Sequence, residues 1–311
     1  MSILEVKDLK KHFSVTSILG KKQAVKALDG VTFSLQKNKT IGIVGESGCG
    51  KSTLAKALMG IEAPTSGEIS FSGVPEKNLS PKDRFHKIQM IFQDPYSSLN
   101  PRKPAWRLIA EPLLINTNLS KNECFDKACT LMEKVGLRAN LANRYPHMFS
   151  GGQRQRLGIA RALSLHPEIL ICDEPVSALD VSIQAQVLNL LTELQDEMNL
   201  SYLFITHDLN VVKHIADDIL VMYLGKIVEY GPREEVFNNP QHPYTKALLS
   251  SAPDINKVEM TSLHLKGEPP SPLNPPSGCA FHERCPIAIE RCKKENPSLS
   301  EGFHKNACLL A

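Results

Sequence analysis

Three groups of residues in this chain are of the right types and spacing to do chemistry. The first is residues 45–53, Gly45, Glu46, Ser47, Gly48, Cys49, Gly50, Lys51, Ser52 and Thr53, which satisfy G-x-x-x-x-G-K-[ST]. Glycines there let the backbone turn its N–H groups inward around an anion, and the helix that follows adds partial positive charge. Lys51 can reach the outer phosphates and Ser52 offers a hydroxyl to Mg²⁺. The second group is Asp173 and Glu174, adjacent carboxylates at the end of the apolar run 168–172. Two charges at a buried strand end are costly unless a cation or a reaction uses them. With a phosphate loop in the same chain, Asp173 is the natural Mg²⁺ partner and Glu174 the natural general base for water. The third group is Cys279, Cys285, Cys292 and Cys308, half of the chain's 8 cysteines gathered near one end.

These groups need strands and helices to hold them. Ile41-Gly-Ile-Val44 reads as a short strand feeding the phosphate loop, and Leu54-Ala-Lys-Ala-Leu-Met continues as a helix closed by Gly60. Before it, Ile3-Leu-Glu-Val6 and Val31-Thr-Phe-Ser-Leu35 alternate like strands of an antiparallel edge, separated by a polar loop around Gly20. Phe13 lies there, as an aromatic surface for an adenine or as an ordinary strand core residue. The segment Ala63 onward, APTSGEISFSG, suggests a hairpin, and residues 87–92 form another buried strand ending at Gln93. From residue 95 to 149 helix signals replace strand signals, including a capping box at Ser120 and Glu123. Ser150, Gly151, Gly152 and Gln153 then open a helix, as an ordinary helix cap or as a second phosphate contact through its free backbone donors. After Asp173 and Glu174 come residues 177–180, Ser-Ala-Leu-Asp, and an amphipathic helix. Tyr202-Leu-Phe-Ile-Thr206 is a further buried strand, leading to His207 as a γ-phosphate contact. Residues 219–230 read as a hairpin turning near Leu224 and Gly225 that closes the sheet.

Composition excludes several classes. The 311 residues suffice for one large domain with an appendage, or for two domains. With 36 Lys plus Arg against 33 Asp plus Glu, a net charge of +3, and no charged block, electrostatics nominate neither nucleic acid nor an anionic membrane. No apolar run approaches the ~18 residues of a membrane span. The N-terminal MSILEVKDLKKHF carries charges where a signal peptide is apolar, so a cytosolic protein is expected.

Taken in order, GESGCGKS, Gln93, SGGQ, ILICDE, SALD and His207 resemble the ATP-binding subunits of ABC transporters. The resemblance covers residues 1 to about 250 and implies an α/β fold with a RecA-like P-loop NTPase core. It adds an N-terminal antiparallel β subdomain, an inserted α-helical subdomain and a small Cys-rich tail. The expected boundaries are 1–94 and 150–250 for the core, 95–149 for the insertion and 251–311 for a Pro-rich linker and Cys-rich extension. The resemblance further implies that residues 45–53 are the Walker A loop, Gln93 the Q-loop glutamine, and 150–153 the signature. Asp173 and Glu174 become the Walker B pair, residues 177–180 the D-loop, and His207 the switch histidine. ATP and Mg²⁺ are the implied cofactors, Mg²⁺ on Ser52, Gln93 and Asp173, with Glu174, His207, Gln93 and Lys51 catalytic. In this family two such domains meet head to tail, so the signature would contact ATP held by a partner's Walker A loop.

The tail narrows the resemblance. Gln241-His-Pro-Tyr-Thr-Lys-Ala-Leu-Leu and Gly267-Glu-Pro-Pro-Ser-Pro are similar to segments of dipeptide and oligopeptide importer ATPases, without an independent chemistry for either. The implied partners are a related ATPase in a heterodimer, two membrane permeases and a substrate-binding protein, and the implied place is the cytoplasmic face of a bacterial inner membrane. Glutathione, nickel chelates or other solutes are alternative cargoes. Residues 269–276 read as an extended linker. In a reducing cytosol four clustered cysteines suit a metal better than disulfides. The readings are a four-iron, four-sulfur cluster, as in importer ATPases with similar tails, zinc, or no metal. His282 and His304 are possible substitute ligands. Two other classes compete: a soluble ABC-type ATPase of DNA repair or the ribosome, and a redox sensor in which the tail regulates hydrolysis.

Overall fold

The computed structural model describes residues 1–16, 22–251 and 267–311. The loop expected around Gly20 and residues 252–266 of the expected linker lie outside the described residues.

Two long strands, β1 (Ser2–Thr16) and β2 (Lys22–Gln36), are followed by β3 (Thr40–Val44), which is buried throughout, as a continuous apolar run requires. After the phosphate loop comes α1 (Lys51–Met59), closed by Gly60 in the left-handed conformation. β4 (Ser66–Phe71) and β5 (Val74–Pro75) flank a turn in which Ser72 and Gly73 both take positive φ. Ser80 caps α2 (Pro81–Lys87), which leads into β6 (Ile88–Ile91). Three helices follow, α3 (Pro95–Ser98), α4 (Ala105–Asn116) and α5 (Lys121–Lys134). Helices and strands then alternate through α6 (Gly151–Leu163), β7 (Ile169–Asp173), α7 (Val181–Met198), β8 (Ser201–Ile205) and α8 (Leu209–Ile215). The chain continues with β9 (Asp218–Tyr223), β10 (Lys226–Pro232), α9 (Arg233–Asn238), α10 (Pro243–Ser251) and the short β11 (Lys305–Asn306).

The chain divides into two compact units: residues 71–203 with 1–3 and 36–39, and residues 4–35, 40–70 and 204–311. In the first unit β6 and β7 are parallel, with Ile88 opposite Ile169 and Ile91 opposite Cys172. Helices α4, α5 and α6 pack on one another. Trp106 meets Phe125 edge to face at 5.4 Å between ring centres, a geometry favoured by the ring quadrupoles. The capping box expected at Ser120 and Glu123 is formed, the hydroxyl accepting from the Glu123 amide while the carboxylate accepts from the Ser120 amide.

In the second unit β3 runs parallel to β9, and β9 returns antiparallel as β10 through Leu224 and Gly225, both at positive φ. That hairpin does not end the sheet, contrary to the sequence reading. β11 from the tail pairs antiparallel with β10, placing Asn306 opposite Glu229 and Lys305 opposite Tyr230. Nor is the tail merely appended, because Phe281 is buried among Val44, Tyr223, Tyr244 and Val236 in this unit's apolar core. Helix α8 packs on β3 so closely that a Cβ at Gly42 would overlap the Val212 side chain and stand 3.1 Å from Ala216 Cβ. A separate sheet holds β2, β1 and β4 in that order.

Candidate functional site

The phosphate loop is shaped by positions where a side chain cannot fit. Gly45 and Gly50 have φ of 150° and 110°, and a Cβ at either would strike a carbonyl oxygen, of Met222 or of Ala27. Lys51 is almost wholly buried, its ammonium donating to the Gly45 carbonyl at 2.6 Å and the Glu46 carbonyl at 3.1 Å. Cys49 is buried beside it, and burial pushes its thiol up while the neighbouring ammonium pulls it down. Ser52 is exposed at the first turn of α1 and Thr53 is half-buried.

Glu46 differs from the sequence reading in a way that matters. Its amide donates to the Tyr244 hydroxyl at 2.8 Å, so that donor already has a partner within the protein. Its carboxylate accepts two bonds from the Arg284 guanidinium, at 2.7 and 2.9 Å. This fork-to-carboxylate pairing is the strong form of an ion pair. It is the first reason the Arg284 guanidinium is held above its ordinary range. Ser47 and Gly48 stay exposed on the loop's outer face. They line a cleft of about 580 Å³ with Glu46, Tyr223, Glu268 and Pro269.

His207 is exposed between Thr206, whose amide bonds the Ile43 carbonyl at 3.2 Å, and Asp208, which caps α8 by accepting from the Asn210 amide. Phe13 is half-buried on β1, with the Lys11 ammonium 4.8 Å from its ring centre.

Asp173, Glu174, Gln93 and residues 150–153 lie in the first unit. Asp173 ends β7 and is buried, and Glu174 follows it at φ 46°, in the left-handed region. A non-glycine residue there is strained by about 1–3 kcal/mol and clusters at functional sites. Gln93 Nε2 donates to Glu174 Oε2 at 3.0 Å, so the two residues named separately from the sequence meet. Ser177 anchors the turn by donating its amide and hydroxyl to the Glu174 carbonyl, at 3.3 and 3.1 Å. Gln184 on α7 ties down residues 176–179 by donating to the Val176 and Leu179 carbonyls, each at 3.0 Å.

Ser150 and Gln153 form a reciprocal cap at the start of α6: the Gln153 amide donates to the Ser150 hydroxyl at 3.3 Å, and the Ser150 amide to Gln153 Oε1 at 3.0 Å. One backbone donor that the sequence reading left available for phosphate is thus used by the cap. Gly151 lies beside Leu179, and a side chain at Gly152 would press on Ile183 at 2.6 Å. The signature is therefore packed against the segment that follows Glu174.

In the tail, Cys279 and Cys285 are half-buried, and desolvation raises both thiols, opposed by backbone hydrogen bonds at Phe281 and Ile287 respectively. The Cys279 amide donates to the Cys292 carbonyl at 2.8 Å, closing the segment on itself. Among the described residues no group of three or more His, Cys, Asp or Glu stands in ligating geometry. His304 serves elsewhere: its Nε2 lies 2.7 Å from Glu229 Oε1. His282 turns Nδ1 to the Cys279 carbonyl at 2.9 Å.

The segment at Gln241 had no chemistry in the sequence reading, and the structure supplies one. Fully buried Glu229 on β10 accepts the Gln241 amide at 2.8 Å and the His242 amide at 2.9 Å, besides facing His304. Buried His242 takes the Tyr244 amide on Nδ1 at 3.1 Å, and burial lowers its pKa to about 4. Glu229, Tyr244 and Arg284 escaped the sequence reading. The one available signal for Glu229 was a carboxylate directly after the apolar pair Ile227 and Val228 of a strand.

Comparison with known proteins finds relatives over nearly the whole chain. A family model described as ABC transporter matches residues 28–177. A second, described as the C-terminal region of oligopeptide/dipeptide transporters, matches residues 228–292. The chain is 53% identical over 314 residues to a dipeptide transport ATP-binding protein of Haemophilus influenzae, covering 99% of this chain and 95% of the relative. It is 53% identical to an oligopeptide transport ATP-binding protein of Escherichia coli, covering 99% and 96%. Among solved structures, a dimeric ATP-binding cassette bound to ADP and phosphate superposes with a TM-score of 0.66 at 28% identity, over 74% of this chain and 98% of that one. A Clostridium perfringens subunit of an ABC transporter complex gives 0.66 at 28%, over 76% and 91%.

Proposed function

The chain belongs to the ATP-binding subunits of ABC-type dipeptide and oligopeptide transporters, and from that premise we propose that it binds and hydrolyses ATP to power peptide import across a bacterial inner membrane. The observation that carries the catalytic part is Glu174, held at positive φ directly after buried Asp173 and bonded by Gln93. A carboxylate so oriented suits the polarisation of a water.

In this reading Lys51 and the loop amides from Ser47 to Thr53 hold the phosphates, Phe13 meets the adenine, and Glu174 accepts a proton from the attacking water. His207 stabilises the γ-phosphate, and Ser150, Gly151, Gly152 and Gln153 contact the nucleotide of a partner ATPase in a heterodimer. Ser52, Gln93 and Asp173 are the oxygen donors expected of a Mg²⁺ site, and the ion supplies charge neutralisation at the phosphates. Glu46 has a different role, since its amide and carboxylate are both committed within the protein. Two permeases and a substrate-binding protein complete the importer. Support for peripheral attachment comes from the relatives, and among the described residues no helix is long and apolar enough to cross a membrane. In this reading the ATPase core comprises residues 1–94 and 150–250, the inserted helical subdomain 95–149, and the linker with its Cys-rich extension 251–311.

Cys279, Cys285, Cys292 and Cys308 are proposed to hold a four-iron, four-sulfur cluster once their thiols converge. Four cysteines gathered in one short tail segment are the right donor set for such a cluster. The cluster would act as a cross-link of the tail.

The test is Glu174→Gln. The purified variant is expected to bind MgATP as the parent does while turnover falls about 100-fold or more, the scale of losing a general base. Cells carrying it should lose uptake of labelled dipeptides. Hydrolysis at the parental rate would overturn the assignment.

A further inference from the structure

The Cys-rich tail reaches the phosphate loop through one side chain. Arg284 sits between Cys279 and Cys285 on a turn whose Phe281 is buried against Tyr223 and Tyr244, with ring centres 5.3 and 5.4 Å apart. The turn is closed by the Arg284 amide on the Phe281 carbonyl at 3.0 Å. From this base the guanidinium, with a side chain 5% exposed, forks onto the Glu46 carboxylate and leans on the Tyr223 ring at 5.9 Å. Tyr244 holds the same residue from the other side through the Glu46 amide.

A carboxylate at the second position of a loop that cradles phosphates opposes its own ligand, because like charges a few ångströms apart in a partly desolvated site repel. An arginine locked onto it by two bonds offsets that charge and fixes the carboxylate in one orientation. We propose that Arg284 is a positioning residue for nucleotide binding, a tail side chain that neutralises and orients Glu46 so that the loop accepts ATP. The order of the Cys-rich turn is then read directly by the phosphate loop. This rests on the reading that residues 45–53 bind nucleotide phosphate.

Titration of MgATP into the full-length chain by calorimetry tests it. Arg284→Gln should raise Kd about fivefold or more at low salt, as expected for an unpaired charge near the phosphates, and the penalty should shrink as NaCl screens it. The double variant Glu46→Gln with Arg284→Gln should recover most of the loss, and Glu46→Gln alone should bind more tightly than the parent. Arg284→Lys, which keeps the charge without the fork, should fall between. Unchanged Kd in Arg284→Gln, or a double variant as weak as that single one, overturns the proposal. So does weakened binding in Glu46→Gln, which leaves the tail's own sequence unchanged and stays informative where Arg284→Gln fails to fold. A parent chain that does not bind MgATP would instead overturn the proposed function.

Discussion

His242 is a buried neutral base, and that gives the protein a predictable weakness to acid. Its pKa falls from 6.5 to about 4 because burial disfavours the charged ring. Between those values the unfolded chain binds a proton that the native chain does not, so stability drops as pH falls through the window and is untouched by this residue above it. Each pH unit of the gap corresponds to about 1.4 kcal/mol. His242→Asn keeps an acceptor for the Tyr244 amide and removes the titration. Urea unfolding from about pH 7 to 5 should show the variant losing less stability than the parent, and equal losses would place the acid sensitivity elsewhere. Residues of this kind divide sharply in how far sequence reveals them. Lys51, Asp173 and Glu174 are legible because their neighbours in the chain supply the pattern. Arg284 and Glu46 lie 238 positions apart, with nothing local to either that names the other.

At the scale of elements, Gly42 shows the same limit. In Ile41-Gly42-Ile43-Val44 it reads as one more residue of a strand, yet its place is set by Val212 of α8 and by Ala216 just after it, which approach the bare backbone. Gly42→Ala should destabilise the protein by about 1–3 kcal/mol, the usual cost of overpacking. Denaturant melts would show a lowered midpoint with an unchanged slope, and a parental midpoint would mean that α8 yields without cost. Caps and turns were more accessible, because the Ser120 and Glu123 box and the Leu224 and Gly225 turn rest on contiguous residues. The sheet edge was not accessible. β11 is the pair Lys305 and Asn306, too short for any period, and only its pairing with β10 makes it a strand.

At the scale of the whole molecule, the tail is an integral part of the nucleotide-binding unit. β11 extends its sheet, His304 faces Glu229, Phe281 enters its core and Arg284 reaches the phosphate loop. Loss of tail order should therefore be felt at the nucleotide. Full-length chain prepared without oxygen should contain about four irons and four sulfides per chain, the content of one cubane cluster, with broad visible absorption. Substituting Cys279 and Cys285 by Ser should abolish both signals and lower the melting temperature. Zinc in place of iron, or a metal-free chain of parental stability, would overturn the cluster. The amino-acid order sufficed for the family, the phosphate loop, the carboxylate pair and the alternation of strands and helices, since each is a short-range pattern of type and spacing. Folding alone joined Gln93 to Glu174, Glu229 to the segment at Gln241, and Arg284 to Glu46. Those pairings depend on which distant backbones are brought side by side, and no local pattern encodes that. The phosphate loop thus has its form written in nine consecutive residues and its charge balance completed by a residue of the tail.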